Sequence, residues 1–208
     1  GLNVCADPFV NSAMTGVNGG LVVLVADDPS MHSSQNEQDS RFYAKFAMIP
    51  SLEPSNQQEA YDMMKYAFEL SEQQPVMMRV TTRMAHSRAV VEIEDAPAAQ
   101  NELTFPKEPR NWVLLPAIAT RRNKEVIAQL QVLESMACES QYNALTFPEA
   151  GKRYEKGVVT CGIAYNYLME TFPEGVPFPV LKITQYPIPK QLVNTLAEAC
   201  DEILVLEE

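Results

Sequence analysis

The chain has 208 residues, with 16 Lys+Arg against 27 Asp+Glu, a net charge of −11 at pH 7 and a sequence pI near 4.7. That length makes one large or two small domains with enough residues to bury a core. So acidic a surface repels phosphate backbones and anionic headgroups, which argues against nucleic-acid and membrane-surface partners, and the longest apolar run, Leu21 to Ala26, is far shorter than the roughly 20 residues a spanning helix needs.

Leu21-Val22-Val23-Leu24-Val25-Ala26 is entered through Gly19-Gly20 and left through Asp27-Asp28-Pro29. A continuous β-branched run of this kind predicts a strand buried on both faces, as in parallel sheets. The stretch that follows, Asp27 to Arg41, is the densest polar segment of the chain and contains an imidazole, hydroxyls, amides and carboxylates. It sits at the C-terminal end of a strand, where open parallel sheets place their ligand crevice, and it has the groups to orient a polar substrate and move a proton. The same composition also suits a surface loop whose Ser, Asn and Asp side chains cap its own turns.

After Pro54, Ser55-Asn56-Gln57-Gln58 has capping-box spacing, and Ala60, Tyr61, Met64, Ala67, Phe68 and Ser71 recur at helical intervals. Pro75 opens a second strand, Val76 to Thr82, so the order strand, polar loop, helix, strand predicts a crossover βαβ unit. Arg83 and His86 follow that strand and are secondary crevice candidates by the strand-end rule, although a histidine flanked by arginines equally suits a solvated position.

Residues 97–116, with Pro97, Pro106, Pro109 and Pro116, read as a linker between a first domain of residues 1–96 and a second of residues 117–208. Thr120 is placed to cap a helix running to about Ser140 with Val126, Ile127, Leu130 and Leu133 on one side. Arg121, Arg122 and Lys124 crowd its first turn, where the helix dipole disfavours cations, so inter-domain salt bridges or a bound anion should relieve them. Beyond it, Lys156–Cys161, Gly162–Thr171, Val180–Thr184, Pro189–Ala199 and Ile203–Leu206 alternate strand, helix, strand, helix, strand. The fold class is therefore α/β, built of parallel-sheet modules.

Cys5, Cys138, Cys161 and Cys200 lie far apart without a C-x-x-C pair, so they read as reduced structural thiols, which fits a cytoplasm, and not as a metal site. No Gly precedes Asp, and neither dinucleotide nor P-loop glycine patterns nor G-x-S-x-G occur.

Longer stretches carry more. Gly1-Leu2-Asn3-Val4-Cys5-Ala6-Asp7-Pro8, the run from Gly19 through Arg41, Tyr43 to Ala47, Pro50 to Ser55, Tyr66 to Ser71, Thr81 to Arg88, Thr160 to Tyr167 and Tyr186-Pro187-Ile188-Pro189 together resemble the indolepyruvate ferredoxin oxidoreductase alpha-subunit family. The resemblance implies a thiamine-diphosphate enzyme that oxidatively decarboxylates an aryl 2-oxoacid to an aryl-acetyl-CoA and passes electrons to ferredoxin, with a beta subunit as partner. It further implies that this chain is an internal piece, holding the later half of a pyrimidine-binding domain and a transketolase-C-like domain. In the family, the glutamate that contacts the aminopyrimidine lies upstream of the Gly-Leu-Asn stretch, and the Gly-Asp-Gly site for Mg²⁺ and the cysteines for 4Fe-4S clusters lie elsewhere. The piece alone is thus expected neither to bind thiamine diphosphate tightly nor to turn over, and Mg²⁺, clusters and CoA belong to the intact enzyme.

Within that frame, strand-end position and polar density put forward His32 and Ser33 as catalytic candidates. Ser34, Gln35, Glu37 and Gln38 are the cofactor-binding candidates on the pyrimidine side. A half-domain without its first strands should also expose a sheet edge and self-associate. Two rivals stand beside this reading: a related 2-oxoacid:ferredoxin oxidoreductase with another substrate, and a non-catalytic module that builds a subunit interface.

Overall fold

The computed structural model describes residues 1–95, 104 and 107–208, so the earlier part of the linker assigned to 97–116 lies outside the described residues, apart from residue 104, while its later part holds a short helix at Pro109–Trp112 and the first residue of the long helix Pro116–Glu139. The chain begins with a 3-10 turn at Leu2–Cys5 and α1 (Ala6–Thr15), followed by β1 (Val22–Asp27), a 3-10 turn at Pro29–Met31, α2 (Ser40–Ala47), β2 (Ser51–Leu52), α3 (Gln57–Ser71), β3 (Val76–Thr81) and α4 (Thr82–His86). It continues through α5 (Pro109–Trp112), α6 (Pro116–Glu139), β4 (Ala144–Thr146), β5 (Tyr154–Cys161), α7 (Ala164–Thr171), β6 (Val180–Ile183), β7 (Gln185–Tyr186), α8 (Lys190–Ala199) and β8 (Cys200–Leu206).

The first sheet has the order β1-β3-β2-β7. β1 and β3 pair in parallel from Val22↔Val76 to Asp27↔Thr81, the crossover that the alternation of elements predicts. Side chains alternate across the sheet, so Val23, Val25 and Met77 pack against α1 and α2, while Val22, Val76 and Met78 meet Met63, Ala67 and Leu70 of α3. The expectation that β1 is buried on both faces fails. It is an edge strand, and although Val22 packs against the α3 cluster, Leu24 is left 59 % exposed. Of the predicted inward stripe of α3, Ala67 and Ser71 are buried and Met64 packs partly buried, whereas Tyr61 and Phe68 are exposed and Met63 and Leu70 are buried instead. Its cap is likewise shifted: the Asn56 side chain accepts the Glu59 N–H at 2.9 Å, while the Glu59 carboxylate accepts the Ser55 N–H and O–H at 2.6 and 2.7 Å.

The second sheet runs β4-β6-β5-β8, with β5, β6 and β8 parallel and β4 antiparallel at one edge. Val180 and Val158 pack with Leu168 of α7, whereas the next residue along, Leu181, packs with Leu196 of α8, so the two helices cover opposite faces. β5 approaches α8 so closely at Gly157 that a Cβ there would stand 2.6 Å from Cys200 Sγ and 2.9 Å from Leu196 Cδ1.

The two sheets are interlocked. After β6 the chain crosses over, and β7 pairs antiparallel with β2, Ser51↔Tyr186 and Leu52↔Gln185, becoming an edge strand of the first sheet. Buried Asn143 pins the crossing, its Oδ1 accepting from the Thr184 and Gln185 N–H groups at 2.7 and 2.9 Å and its Nδ2 donating to the Ala137 and Gln185 carbonyls. Two-residue strands such as β2 and β7 have no periodicity to read.

The long helix α6 starts five residues earlier than predicted, capped by Leu115 in place of Thr120 and with Pro116 at its first position, where a missing N–H is harmless. Thr120 is not its cap; its hydroxyl donates back to the Pro116 carbonyl at 2.9 Å. Val126 and Leu133 are buried, but Ile127 is half exposed. With the start at Pro116, Arg121, Arg122 and Lys124 lie beyond the first turn rather than in it; Arg122 donates to the Met14 and Thr15 carbonyls at 3.0 and 3.3 Å, capping the negative C-terminal end of α1, and pairs with Glu125. Among the described residues, no helix is long and apolar enough to cross a membrane.

Candidate functional site

Residues 28–39 leave the C-terminal end of β1 as a loop that its own carboxylates shape. Asp28 Oδ2 accepts the N–H groups of Ser33 and Ser34 at 2.7 and 2.8 Å, and Asp28 Oδ1 accepts the Thr82 hydroxyl at 2.8 Å. The Ser33 N–H bond, followed by those from Thr82 and Ser34, holds the Asp28 carboxyl well below the usual carboxylate range. Ser30 and Met31 are left-handed, at φ 63° and 53°, a conformation that costs roughly 1–2 kcal/mol for each L-residue. The Ser30 N–H is satisfied by Glu37 Oε2 at 3.0 Å. A strained turn kept in place by two internal carboxylates marks a loop whose shape is fixed before any ligand arrives.

The feet of the loop stand in a buried ionic cluster. At the first foot, Asp27 Oδ2 accepts from Ser40 N at 2.9 Å, Ser40 Oγ at 2.8 Å and Arg79 Nε at 2.6 Å. At the second, Asp39 caps α2 by accepting the Arg41 N–H at 2.9 Å, and the Arg41 guanidinium grips the same carboxylate at 2.7 to 3.0 Å. Burial pushes the Asp39 carboxyl up, but the Arg41 hydrogen bonds and charge outweigh it, and the net shift is downward.

Arg79, only 2 % exposed, is the centre of the cluster: its Nη1 is bound to Glu53 Oε1, and its Nη2 donates to the Glu208 carbonyl at 3.1 Å. Glu53 Oε2 accepts the Tyr186 hydroxyl of β7 at 2.9 Å. Arg41 Nη1 meets Glu207 at 2.9 Å and donates to Cys161 Sγ at 3.4 Å, while Glu208 also receives Arg83 at 2.5 Å and the Thr81 hydroxyl at 3.3 Å. Three guanidiniums thus tie together carboxylates from both halves of the chain. Burial first, and Glu53 second, push the Cys161 thiol up to about 11 and raise Tyr186 well above its usual value, so both stay protonated at neutral pH.

The sequence candidates are distributed unevenly over this frame. Ser34, Gln35 and Gln38, together with Asn36, line a groove of about 520 Å³ that runs along the open edge of β1 past Leu2, Cys5 and Tyr43. His32, Ser33 and Glu37 are exposed on the same loop but do not border that groove. The Glu37 carboxylate and the Ser33 amide are engaged in holding the loop, and Gln38 Nε2 donates to Asn36 Oδ1 at 2.9 Å. Arg83 is paired with Glu208, and His86 is exposed at the end of α4. Sequence reasoning missed Arg79, Asp27 and Glu53. The available signal was a charge, Arg79, inside the apolar run of β3, since a cation buried in a sheet needs a partner.

In chemical terms the loop offers an exposed imidazole, hydroxyls and amides on a rigid, strained frame. No established protein-family profile matches the chain. Known relatives do. Indolepyruvate oxidoreductase subunit IorA of Methanothermobacter thermautotrophicus is 43 % identical over 212 residues, covering all of this chain and 34 % of that subunit. The subunits of the same name from Pyrococcus abyssi and Archaeoglobus fulgidus are 42 % and 36 % identical, again over all of this chain and 33 % and 34 % of theirs. The chain is similar along its whole length to one segment of these IorA subunits. It spans about a third of the length of the IorA subunits it matches. In solved structures, a 2-oxoglutarate:ferredoxin oxidoreductase from Magnetococcus marinus superposes with a TM-score of 0.67 over 98 % of this chain and 44 % of that one, at 12 % identity, which shows that this chain shares its fold. The α/β, parallel-sheet class predicted from the sequence is therefore the class observed.

Proposed function

We propose that this chain is part of the catalytic subunit of a thiamine-diphosphate-dependent oxidoreductase that converts aryl 2-oxoacids, indolepyruvate foremost, to aryl-acetyl-CoA with ferredoxin as electron acceptor. The observation that carries this reading is the identity of 36–43 % with IorA subunits across the whole chain. The fold shared with a 2-oxoacid:ferredoxin oxidoreductase supports it.

The described residues fit one side of the cofactor. Ser34, Gln35 and Gln38 border the groove with hydroxyl and amide groups that both donate and accept, as an aminopyrimidine requires. In this reading Mg²⁺ and 4Fe-4S clusters belong to the intact enzyme. Bound thiamine diphosphate supplies the nucleophile and the electron sink. The work of this chain is to present the loop: His32 to hold or move a proton near the 2-oxoacid, Ser33 to orient it, and the Asp28 and Glu37 carboxylates to keep both at fixed positions. A beta subunit and ferredoxin are the partners in this reading, and free thiols at Cys5, Cys138, Cys161 and Cys200 suit a cytoplasmic home. The open edges of β1 and β8 favour a second role for the chain, as interface within a larger assembly or between copies.

The test is substrate dependence in the intact enzyme. CoA- and thiamine-diphosphate-dependent reduction of ferredoxin should be fastest with indolepyruvate or phenylpyruvate; a preference for pyruvate or 2-oxoglutarate would overturn the aryl assignment.

A further inference from the structure

We propose that Arg79 is the positioning residue of the loop at 28–39, and that through it the seating of the second sheet sets the geometry of that loop. Three contacts made by one guanidinium carry the inference. Nε holds Asp27 Oδ2, the oxygen that also receives both the N–H and the hydroxyl of Ser40, so the first and last residues around the loop are closed on each other by an oxygen that Arg79 orients. Nη1 holds Glu53, whose other oxygen takes the Tyr186 hydroxyl from the crossing strand β7. Nη2 donates to the carbonyl of Glu208, just beyond β8.

The planar fork has a fixed geometry, so a displacement of β7 or of the segment after β8 turns the guanidinium and, with it, the Asp27 carboxylate. Asp39, at the other foot, lies 3.9 Å from the Arg79 Nε, and Arg41, which grips it, also reaches Glu207. Both feet of the loop are therefore held from the second half of the chain. The segment they carry includes the left-handed Ser30 and Met31, a strained turn that persists only while its surroundings over-determine it. A lysine could neutralise the site but could reach only one of the three partners.

The experiment is amide hydrogen exchange on the 208-residue chain with two variants. Arg79→Lys keeps the charge and loses the fork. Tyr186→Phe keeps the ring, touches nothing in the loop, and frees one oxygen of Glu53. Positioning through Arg79 predicts that amides of residues 28–39 exchange about tenfold faster in Arg79→Lys and several-fold faster in Tyr186→Phe, while amides of β3 and α3 stay within about twofold of the parent, a tenfold ratio being about 1.4 kcal/mol. Unchanged loop exchange in either variant overturns the proposal, as does uniform acceleration across the chain, which is what a merely structural ion pair gives. The consequence for turnover rests on the functional reading above and is measured separately: in the intact enzyme Arg79→Lys should lower kcat for the aryl 2-oxoacid with little change in the KM for CoA. Loop exchange that responds without any change in kcat would leave Arg79 as the positioning residue and remove the loop from the active site.

Discussion

Gly162→Ala is the substitution that most sharply probes how the two sheets interlock. Gly162 follows β5 at φ 52°, and a Cβ there would stand 2.8 Å from Glu53 Oε1, 3.3 Å from its Cδ and 3.4 Å from its Cγ. The neighbour cannot yield, because Arg79 holds one oxygen of Glu53 and the Tyr186 hydroxyl holds the other. The left-handed conformation costs roughly 1 kcal/mol for alanine, and the overpacking against a pinned side chain about 1–3 kcal/mol more, for a total of about 2–4 kcal/mol. At about 2–4 °C per kcal/mol for a chain of this size, the melting temperature should fall by roughly 5–15 °C. Thermal and urea melts followed by circular dichroism measure it, with Gly151→Ala as the control, since Gly151 has φ 74° and nothing within 4 Å of its would-be Cβ. That variant should lose only the conformational share. In a Glu53→Ala background the overpacking share of the Gly162→Ala cost should vanish, a coupling of about 1–3 kcal/mol. A Gly162→Ala variant as stable as the parent, or one whose cost is the same with and without Glu53, would refute the interlock.

Other outcomes follow from the same geometry. Asp28 and Asp39 have carboxyl groups held below their ordinary value of 3.8, so the stability they contribute is complete above that value and is lost as pH falls through their lower folded values. Melting temperatures measured from pH 6 down to pH 2 should therefore drop in acid, and Asp39→Asn should flatten that drop; parallel curves would refute the assignment. Alkylation followed by mass spectrometry should label exposed Cys5 in the native chain and spare Cys161, which is buried with its thiol pushed up to about 11; comparable labelling of the two would contradict the burial of the cluster. On the proposed reading, in which this chain supplies only the pyrimidine side of the cofactor site, calorimetric titration of the chain with thiamine diphosphate and Mg²⁺ should show no tight site; binding tighter than micromolar would contradict that reading.

The α/β class was legible because its long elements carry their own periodicity: β5, α7, β6, α8 and β8 fall within a few residues of the predicted spans, and the β1–β3 crossover follows from element order. What escaped was set by tertiary context. β2 and β7 have two residues each: β2 is held between β3 and β7, and β7 finds β2 only across the module boundary. The apolar run of β1 reads as fully buried, yet its position at the sheet edge leaves Leu24 in the open. At the candidate site, polar density located the loop at 28–39, but composition does not separate residues that face a groove, such as Gln35, from those that hold the loop, such as Asp28 and Glu37. The ionic cluster beneath was foreshadowed only by Arg79 within an apolar strand, and its partners Glu53, Glu207 and Glu208 are distant in sequence.

The most direct test of the central claim, that this loop serves the chemistry of an aryl 2-oxoacid oxidoreductase, is the steady-state rate of the intact enzyme carrying His32→Ala and Ser33→Ala together, with indolepyruvate, CoA and ferredoxin. kcat/KM for indolepyruvate should fall by about a hundredfold, the scale of one lost proton-transfer group, in an enzyme whose melting temperature is unchanged. Parental kinetics in that variant would contradict it and return the loop to a purely structural role.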